Sequence, residues 1–313
     1  MARSRFSLSK LFKKSTIWEI LFYVTLFAVA LVVATNVANS YRGVKEGFES
    51  TSEFIVKKGP EIYDDFYVSI YDDLVFSKIK NDFEIGTIIN ETSPNDASLI
   101  LDIGSGTGHH VGALNAKGFN ARGIDTSSAM VAQAQNLYPN ADFQVGDAMK
   151  AMTFPPGSFT HITCLYFTIY YVKDKRQFFK NCYDWLMPGG YLVLHLVDRD
   201  NFDPILPAGD PLQIISPQKY AENRITSTVV KFDDYDYKAN FEIFPNDSTA
   251  AFDEVFKNTK TGEVRKNNHK FYMPTQKDVL SKAKDVGFIL LSQSDMMKCQ
   301  YMSQYIYVLQ RPN

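Results

Sequence analysis

The hydrophobic pattern changes its period three times along the chain. Positions 20–34 read ILFYVTLFAVALVVA, and no charged residue occurs between 20 and 41. A helix needs ~20 residues to cross a bilayer core, and 20–38 reaches that length. Trp18 and Tyr23 at one end and Tyr41 at the other suit interfacial anchors. The run predicts an N-terminal transmembrane helix. Two alternatives are a cleaved signal peptide, with Ala38 and Ser40 near a cut, and a buried core helix. The basic lead-in and the length of the run argue against the first, its all-round hydrophobicity against the second.

Residues 42–60 mix charges and read as a juxtamembrane helix or linker ending at Gly59-Pro60. Over 61–90, Tyr63, Phe66, Tyr67, Ile70, Tyr71, Leu74 and Val75 recur at helical spacing, which predicts one or two amphipathic helices. From 98 the pattern becomes strand, turn, helix. Strands are expected at 98–103, 121–124, around Phe143 and Val145, at 161–167 and at 191–197. Helices are expected at 111–117, 128–137 and 175–186, the last ended by Pro188-Gly189-Gly190. This alternation predicts an α/β fold with a parallel, doubly wound sheet. Residues 199–219, with four prolines, then break the pattern, and 226–273 alternate as short strands with Asx and Gly turns, an antiparallel insertion after the fifth strand. A helix at 275–286, capped by Gly287, and two strands at 287–293 and 305–310 close the chain. The expected organisation is a basic tail and anchor (1–41), a linker (42–60) and one domain (61–313) that carries a cap (199–273).

Composition narrows the function classes. The 313 residues are 45% hydrophobic, enough to bury a core, and carry a net charge of −2. That balance hides an asymmetry. Arg3, Arg5, Lys10, Lys13 and Lys14 stand in the first 16 residues without an acid, leaving 28 basic against 35 acidic residues beyond them. A body that acidic is a poor partner for a phosphate backbone, so nucleic-acid binding is not expected. Cys164, Cys182 and Cys299 lie far apart and form no C-x-x-C, and the five histidines form no H-x-x-x-H, so neither disulfides nor a metal site is expected.

The candidate chemistry sits in LILDIGSGTGHH, residues 99–110. Asp102 is followed by Gly104, Gly106 and Gly108 between a strand and a helix, where glycines let the chain turn sharply and let a ligand touch backbone. The helix start near Gly108 offers N–H groups and the positive end of a dipole. Asp125 ends the second strand, about 20 residues past the first glycine, where an acid takes two ribose hydroxyls. Asp147 ends the third strand and is placed to accept from an exocyclic amine. The spacing is G-x-G-x-G rather than the G-x-G-x-x-G of dinucleotide dehydrogenases, which leaves an oxidoreductase as the alternative reading.

With LDIGSGTG, GIDTSSAMV, VGDAM and PGGYLVL in order, the sequence resembles the class I S-adenosylmethionine-dependent methyltransferase family over about 61–313. The resemblance implies a Rossmann-like sheet with a reversed last strand and S-adenosyl-L-methionine as cofactor. By it, Gly104, Ser105 and Gly106 wrap the methionine part and Asp102 faces its ammonium end. Asp125, with Thr126 beside it, holds the ribose. Met130 or its neighbours pack the adenine, Asp147 and Ala148 read its edge, and Leu165 and Tyr166 border the methyl group.

Methyl transfer from a sulfonium needs alignment and dryness, and a base only when the acceptor must lose a proton. Tyr170, Tyr171, His195, Asp198 and Arg199 at the strand ends, and Tyr235, Tyr237 and His269 in the insertion, are acceptor-side candidates. Tyr171, His195 and His269 are the candidates for catalysis. The expected acceptor is a small or membrane-associated molecule, and a non-catalytic scaffold is a further alternative. The two flanks of the apolar run carry five and four basic residues, a weak signal for an N terminus inside. The cytosolic origin of the cofactor and the unpaired cysteines point instead to a domain facing the cytosol, with the sequons at Asn90 and Asn246 unmodified.

Overall fold

The computed structural model describes residues 22–23, 25–27, 29–30, 54–204 and 224–313. The predicted transmembrane helix therefore lies mostly outside the described residues, and those of its residues that are described are helical. Among the described residues no helix is long and apolar enough to cross a membrane. Most of the proline-rich loop, 205–223, also lies outside them.

Seven strands build the main sheet: β2 (Leu99–Ile103), β3 (Asn120–Asp125), β4 (Asp142–Val145), β5 (Phe159–Cys164), β6 (Leu186–Val197), β11 (Ile289–Asp295) and β12 (Gln304–Gln310), in the order β11-β12-β6-β5-β2-β3-β4. β2 through β6 pair in parallel, and β12 runs antiparallel to both β6 and β11. This is the expected Rossmann-like sheet with its reversed last strand. The chain runs outward from β2 through β3 to β4, then returns to the other side of β2 with β5. That reversal opens a crevice beyond the carboxyl ends of β2 and β5.

Helices α1 (Asp65–Val75), α2 (Lys78–Thr92), α3 (His109–Ala116), α4 (Ser128–Leu137), α5 (Thr168–Tyr171), α6 (Lys175–Trp185) and α7 (Gln276–Val286) surround it. Their starts follow capping chemistry. Asp64, Ser77, Ser127, Asp174 and Thr275 each accept an N–H from the first turn, and Gly287 ends α7 at φ 118°. The central strands are buried on both faces. Ile100, Leu101, Ile162, Leu192 and Leu194 are fully inaccessible, each contributing roughly 1.5–3 kcal/mol by leaving water.

The insertion folds as a second sheet, in the order β1-β10-β9-β8-β7, from β7 (Ser227–Lys231), β8 (Tyr235–Phe244), β9 (Thr249–Asn258), β10 (Val264–Tyr272) and β1 (Phe54–Lys58). β7 to β10 form an antiparallel meander, as the alternation predicts. β1 is a correction. Part of the region read as a linker is a strand that pairs in parallel with β10, some two hundred positions away. No local period announces such a strand, because its partner is remote.

Two element boundaries also differ. β5 stops at Cys164 because Tyr166 adopts a left-handed φ of 52°, which turns 165–167 out of the sheet and into the crevice. β6 begins at Leu186 and passes through Pro188-Gly189-Gly190. There Arg311 pairs with Gly189 and Gly190 through backbone bonds of 2.9 and 2.8 Å, so the far end of the chain keeps the segment extended.

Candidate functional site

Two cavities meet at the carboxyl ends of the strands, and Tyr71, Gly104, Gly106, Tyr166 and Thr168 border both. The larger encloses about 680 Å³, within the range of small-molecule sites. The smaller, about 90 Å³, is polar and lies between α2 and the glycine loop.

The loop after β2 has the predicted shape. Gly104, Gly106 and Gly108 all take positive φ, at 70°, 53° and 86°. A Cβ on Gly104 would stand 2.5 Å from Thr168 Cγ2, so the loop closes on α5 only without a side chain. Gly104 and Ser105 donate to Ile124 O at 2.8 and 3.0 Å, which ties the loop to β3. Asp125, at the end of β3, accepts from Gly106 N at 3.0 Å on one oxygen and from Ser127 N at 2.9 Å on the other. Thr126 N–H is a third backbone donor to this carboxylate, which borders the large cavity. Burial raises the carboxyl above its ordinary pKa despite the backbone N–H bonds.

Thr126, Met130, Asp147 and Ala148 line the same cavity. Met130 is also helix core, fully buried. Asp147 accepts from Met149 N at 2.8 Å. Leu165, Ser105 and Asp102 border the polar cavity instead. Asp102 is nearly inaccessible, accepts the Thr163 hydroxyl at 2.6 Å, and is raised above its ordinary pKa by burial. The Ser105 hydroxyl is buried without a partner. Gly108 reaches neither cavity; its N–H is taken by Ser105 O, so it turns the chain rather than holding an anion.

α1 closes the crevice. Asp72 accepts from Thr107 Oγ1 at 2.7 Å and lies 3.0 Å from His109 Nε2, and the His109 ring stacks on Phe76 at 3.8 Å. His109 thus latches the helix to the loop. His110 instead meets the buried Glu84 at 2.8 Å, whose other oxygen is 2.7 Å from Lys80 Nζ. Burial opposes ionisation of Glu84, but Lys80 and His110 hold its pKa well below the ordinary range.

Of the three residues expected to be catalytic, the fold brings two together. Tyr171 OH lies 2.6 Å from His269 Nδ1, and His269 Nε2 lies 2.8 Å from Glu254 Oε2. Tyr63 OH donates to Tyr171 OH at 2.7 Å. Tyr237 OH and Asn267 Nδ2 donate to the fully buried Glu254 at 2.9 and 3.2 Å. Glu254 is the inner terminus of a chain that ends on Tyr63 at the cavity wall. Burial pushes the phenols of Tyr63 and Tyr171 far up, so both stay neutral.

His195 is a correction. It lies inside the main sheet, borders neither cavity, and is held neutral by burial that lowers its pKa to about 3. Tyr170 is also structural, its hydroxyl accepting Val197 N at 2.8 Å, and Arg199 donates to Met273 O at 3.0 Å. Tyr235 packs on Phe66. Asp198 accepts from Asn201 Nδ2 at 2.8 Å, off both cavities.

Glu254 escaped the sequence reading, and Tyr63 entered it only as one position of an amphipathic pattern. The signal for Glu254 is its place in AFDEVF. Strand alternation puts it on the face of Phe252 and Phe256, where a carboxylate needs a buried partner.

Residues 101–194 match the family model described as a methyltransferase domain. An S-adenosylmethionine-dependent methyltransferase from Clostridium acetobutylicum has the same fold, with a TM-score of 0.60 at 18% identity over 79% of this chain and 98% of that one. Residues 101–194 thus carry a methyltransferase domain, on the fold of S-adenosylmethionine-dependent methyltransferases.

The methyltransferase domain also has curated relatives. It is 30% identical over 140 residues to the dTDP-4-amino-2,3,4,6-tetradeoxy-D-glucose N,N-dimethyltransferase of Saccharopolyspora spinosa, covering 42% of this chain and 55% of that one. It is 34% identical over 104 residues to the demethylmenaquinone methyltransferase of Chlorobaculum parvum, covering 32% and 42%. The chain thus spans about half the length of the curated relatives it matches.

Proposed function

We propose that the methyltransferase domain moves a methyl group to an amine nitrogen of a small molecule held under the second sheet. The observation that carries this reading is the chain Tyr63–Tyr171–His269–Glu254, which opens on an aromatic cavity bordered by the glycine loop. An amine is cationic at neutral pH and suits the faces of Tyr63, Tyr67, Tyr71 and Tyr166. It must also shed a proton before it attacks.

The residues present fit the cofactor. Asp125, at the cavity, would accept from a vicinal diol, Asp147 and Ala148 of the same cavity would meet the adenine, and the unpartnered Ser105 hydroxyl with Asp102 would meet the amino-acid end. When bound, S-adenosylmethionine supplies a methyl group on a sulfonium that departs as a neutral thioether. Everything else falls to this chain. The amine proton passes to Tyr63 O, the Tyr63 proton to Tyr171, and the Tyr171 proton to His269 Nδ1. The resulting imidazolium is paired with Glu254. α1, latched through Asp72, and the phenylalanines at 202, 241, 252 and 271 keep water out.

That phenylalanine wall favours a second reading, a hydroxylated flat ring as acceptor, for which the same chain removes the phenolic proton. Transfer of label from the cofactor to panels of primary amines and of hydroxylated aromatics separates the two. Label appearing only on the aromatics would overturn the amine. We further propose that residues 20–38 anchor the chain in a membrane with the domain on the cytosolic side. Protease protection of the domain in sealed vesicles would reverse that orientation.

A further inference from the structure

Lys175 stands where a lysine is costly. It is the first residue of α6 and only 2% exposed, and the positive end of the helix dipole works against its charge. It borders neither cavity. Its Nζ donates to Val172 O at 2.8 Å and to Tyr272 O at 2.6 Å, and stands 5.8 Å from the centre of the Tyr170 ring. Burial lowers its pKa to about 7; Lys282 of α7 adds to the shift and Cys164 of β5 opposes it. Neither of these is a carboxylate, so two backbone carbonyls and a ring face hold the charge.

The two carbonyls give the position its meaning. Val172 follows Tyr171 at the end of α5, and Tyr272 ends β10, a few residues past His269. Val172 and Tyr272 both line the large cavity. Lys175 therefore fastens the main domain to the second sheet beside the link of the relay that crosses from α5 to β10, Tyr171 OH to His269 Nδ1 at 2.6 Å. Among the described residues β1 pairs with β10 only as far as Asn268, which leaves 269–272 at the open edge of that sheet. Arg199 holds the next carbonyl, Met273 O, at 3.0 Å, but a guanidinium keeps its charge at any pH a protein meets. Of these two ties, only that of Lys175 can lose its charge.

We propose that Lys175 is a positioning residue of the acceptor site, which keeps Tyr171 and His269 at bonding distance without touching acceptor or cofactor. The role in turnover rests on the relay of the proposed function; the fastening of the cavity wall does not. A protonated amine donates more strongly than a neutral one, so the tie is firm below about pH 7 and weakens above it.

The first test needs no acceptor. Amide hydrogen exchange of the full chain is followed over 170–174 and 268–273. In the parent these segments should exchange faster at about pH 8 than at about pH 6, after correction for the intrinsic rate. Lys175→Met keeps an unbranched side chain and loses both bonds. It should raise exchange there roughly tenfold or more, leave β2 to β5 unchanged and abolish the pH difference. Because the parent comparison needs no variant, equal corrected rates at the two pH values overturn the proposal even if Lys175→Met does not fold. The second test is a double-mutant cycle on label transfer from S-adenosylmethionine to the best-labelled member of the amine and hydroxylated-aromatic panels. Lys175→Met should slow turnover on the order of tenfold in the parent and less than about twofold beside His269→Ala, because a residue that acts through another loses its effect when the other is gone. Cofactor affinity should stay within about twofold throughout. Unchanged exchange, exchange raised across the whole main sheet, or an equal turnover loss in both backgrounds would make Lys175 ordinary packing. Undiminished turnover in His269→Ala alone would strike the relay and the positioning role with it, and the exchange result tells that failure from a failure of the fastening itself.

Discussion

The two halves of the site are built on opposite plans. The proposed cofactor half is local. Gly104, Ser105, Gly106, Asp125 and Asp147 sit at successive strand ends, and most of their contacts are backbone bonds of 2.8–3.0 Å. The proposed acceptor half is assembled from Tyr63, Tyr171, Glu254 and His269, four residues on four separate segments, joined by side chains. A backbone cradle tolerates change in side-chain identity around it but needs glycine at fixed points. A side-chain relay is indifferent to local sequence and depends on each member. The first plan suits a ligand that is always the same, the second an acceptor that differs from one protein to the next.

The sharpest way to break this contrast is His269→Ala. Turnover should fall by roughly 10²–10⁴ while cofactor affinity in calorimetry stays within about twofold. Loss of cofactor binding would mean the halves are not separate. Asp125→Ala should do the reverse, costing about 1–3 kcal/mol of cofactor binding through two unaccepted hydroxyls.

Acid should also separate the regions. Burial lowers His161 to about 4 and His195 to about 3, and both belong to the main sheet. Below about pH 6.5 the unfolded chain binds these protons and the native sheet does not, so stability falls as pH falls from there toward the folded values. The slope is about 1.4 kcal/mol per pH unit for each histidine, readable as denaturant midpoints between pH 7 and 5. Flat midpoints would mean the two rings gain protons without unfolding. The smallest effect is expected from Tyr63→Phe. It removes the outermost hydroxyl of the relay yet leaves Tyr171 beside His269, so turnover should drop only several-fold, about 1 kcal/mol. A loss as large as that of His269→Ala would make Tyr63 the base's indispensable contact.

What was legible in the sequence follows from the same contrast. The run from Leu99 to Asp147 has strand, glycine turn and acid in register with chain order, so the pattern alone located the loop, Asp125 and Asp147. The catalytic candidates could be named but not sorted. His195 and His269 both lie in strands that alternate with apolar residues, and nothing local separates the one buried in a sheet from the one that reaches a cavity.

The sequence by itself determined the α/β alternation, the antiparallel insertion, the helix caps and the positive-φ glycines, because each depends on neighbours within a few residues or on a simple period. Tertiary structure alone decided that Phe54–Lys58 is a strand, that Glu254 underlies His269, and that Tyr63 closes the relay. Each of these pairs groups far apart in the chain. Whether a hydrogen bond forms there depends on the packing of whole sheets, to which a local pattern is blind.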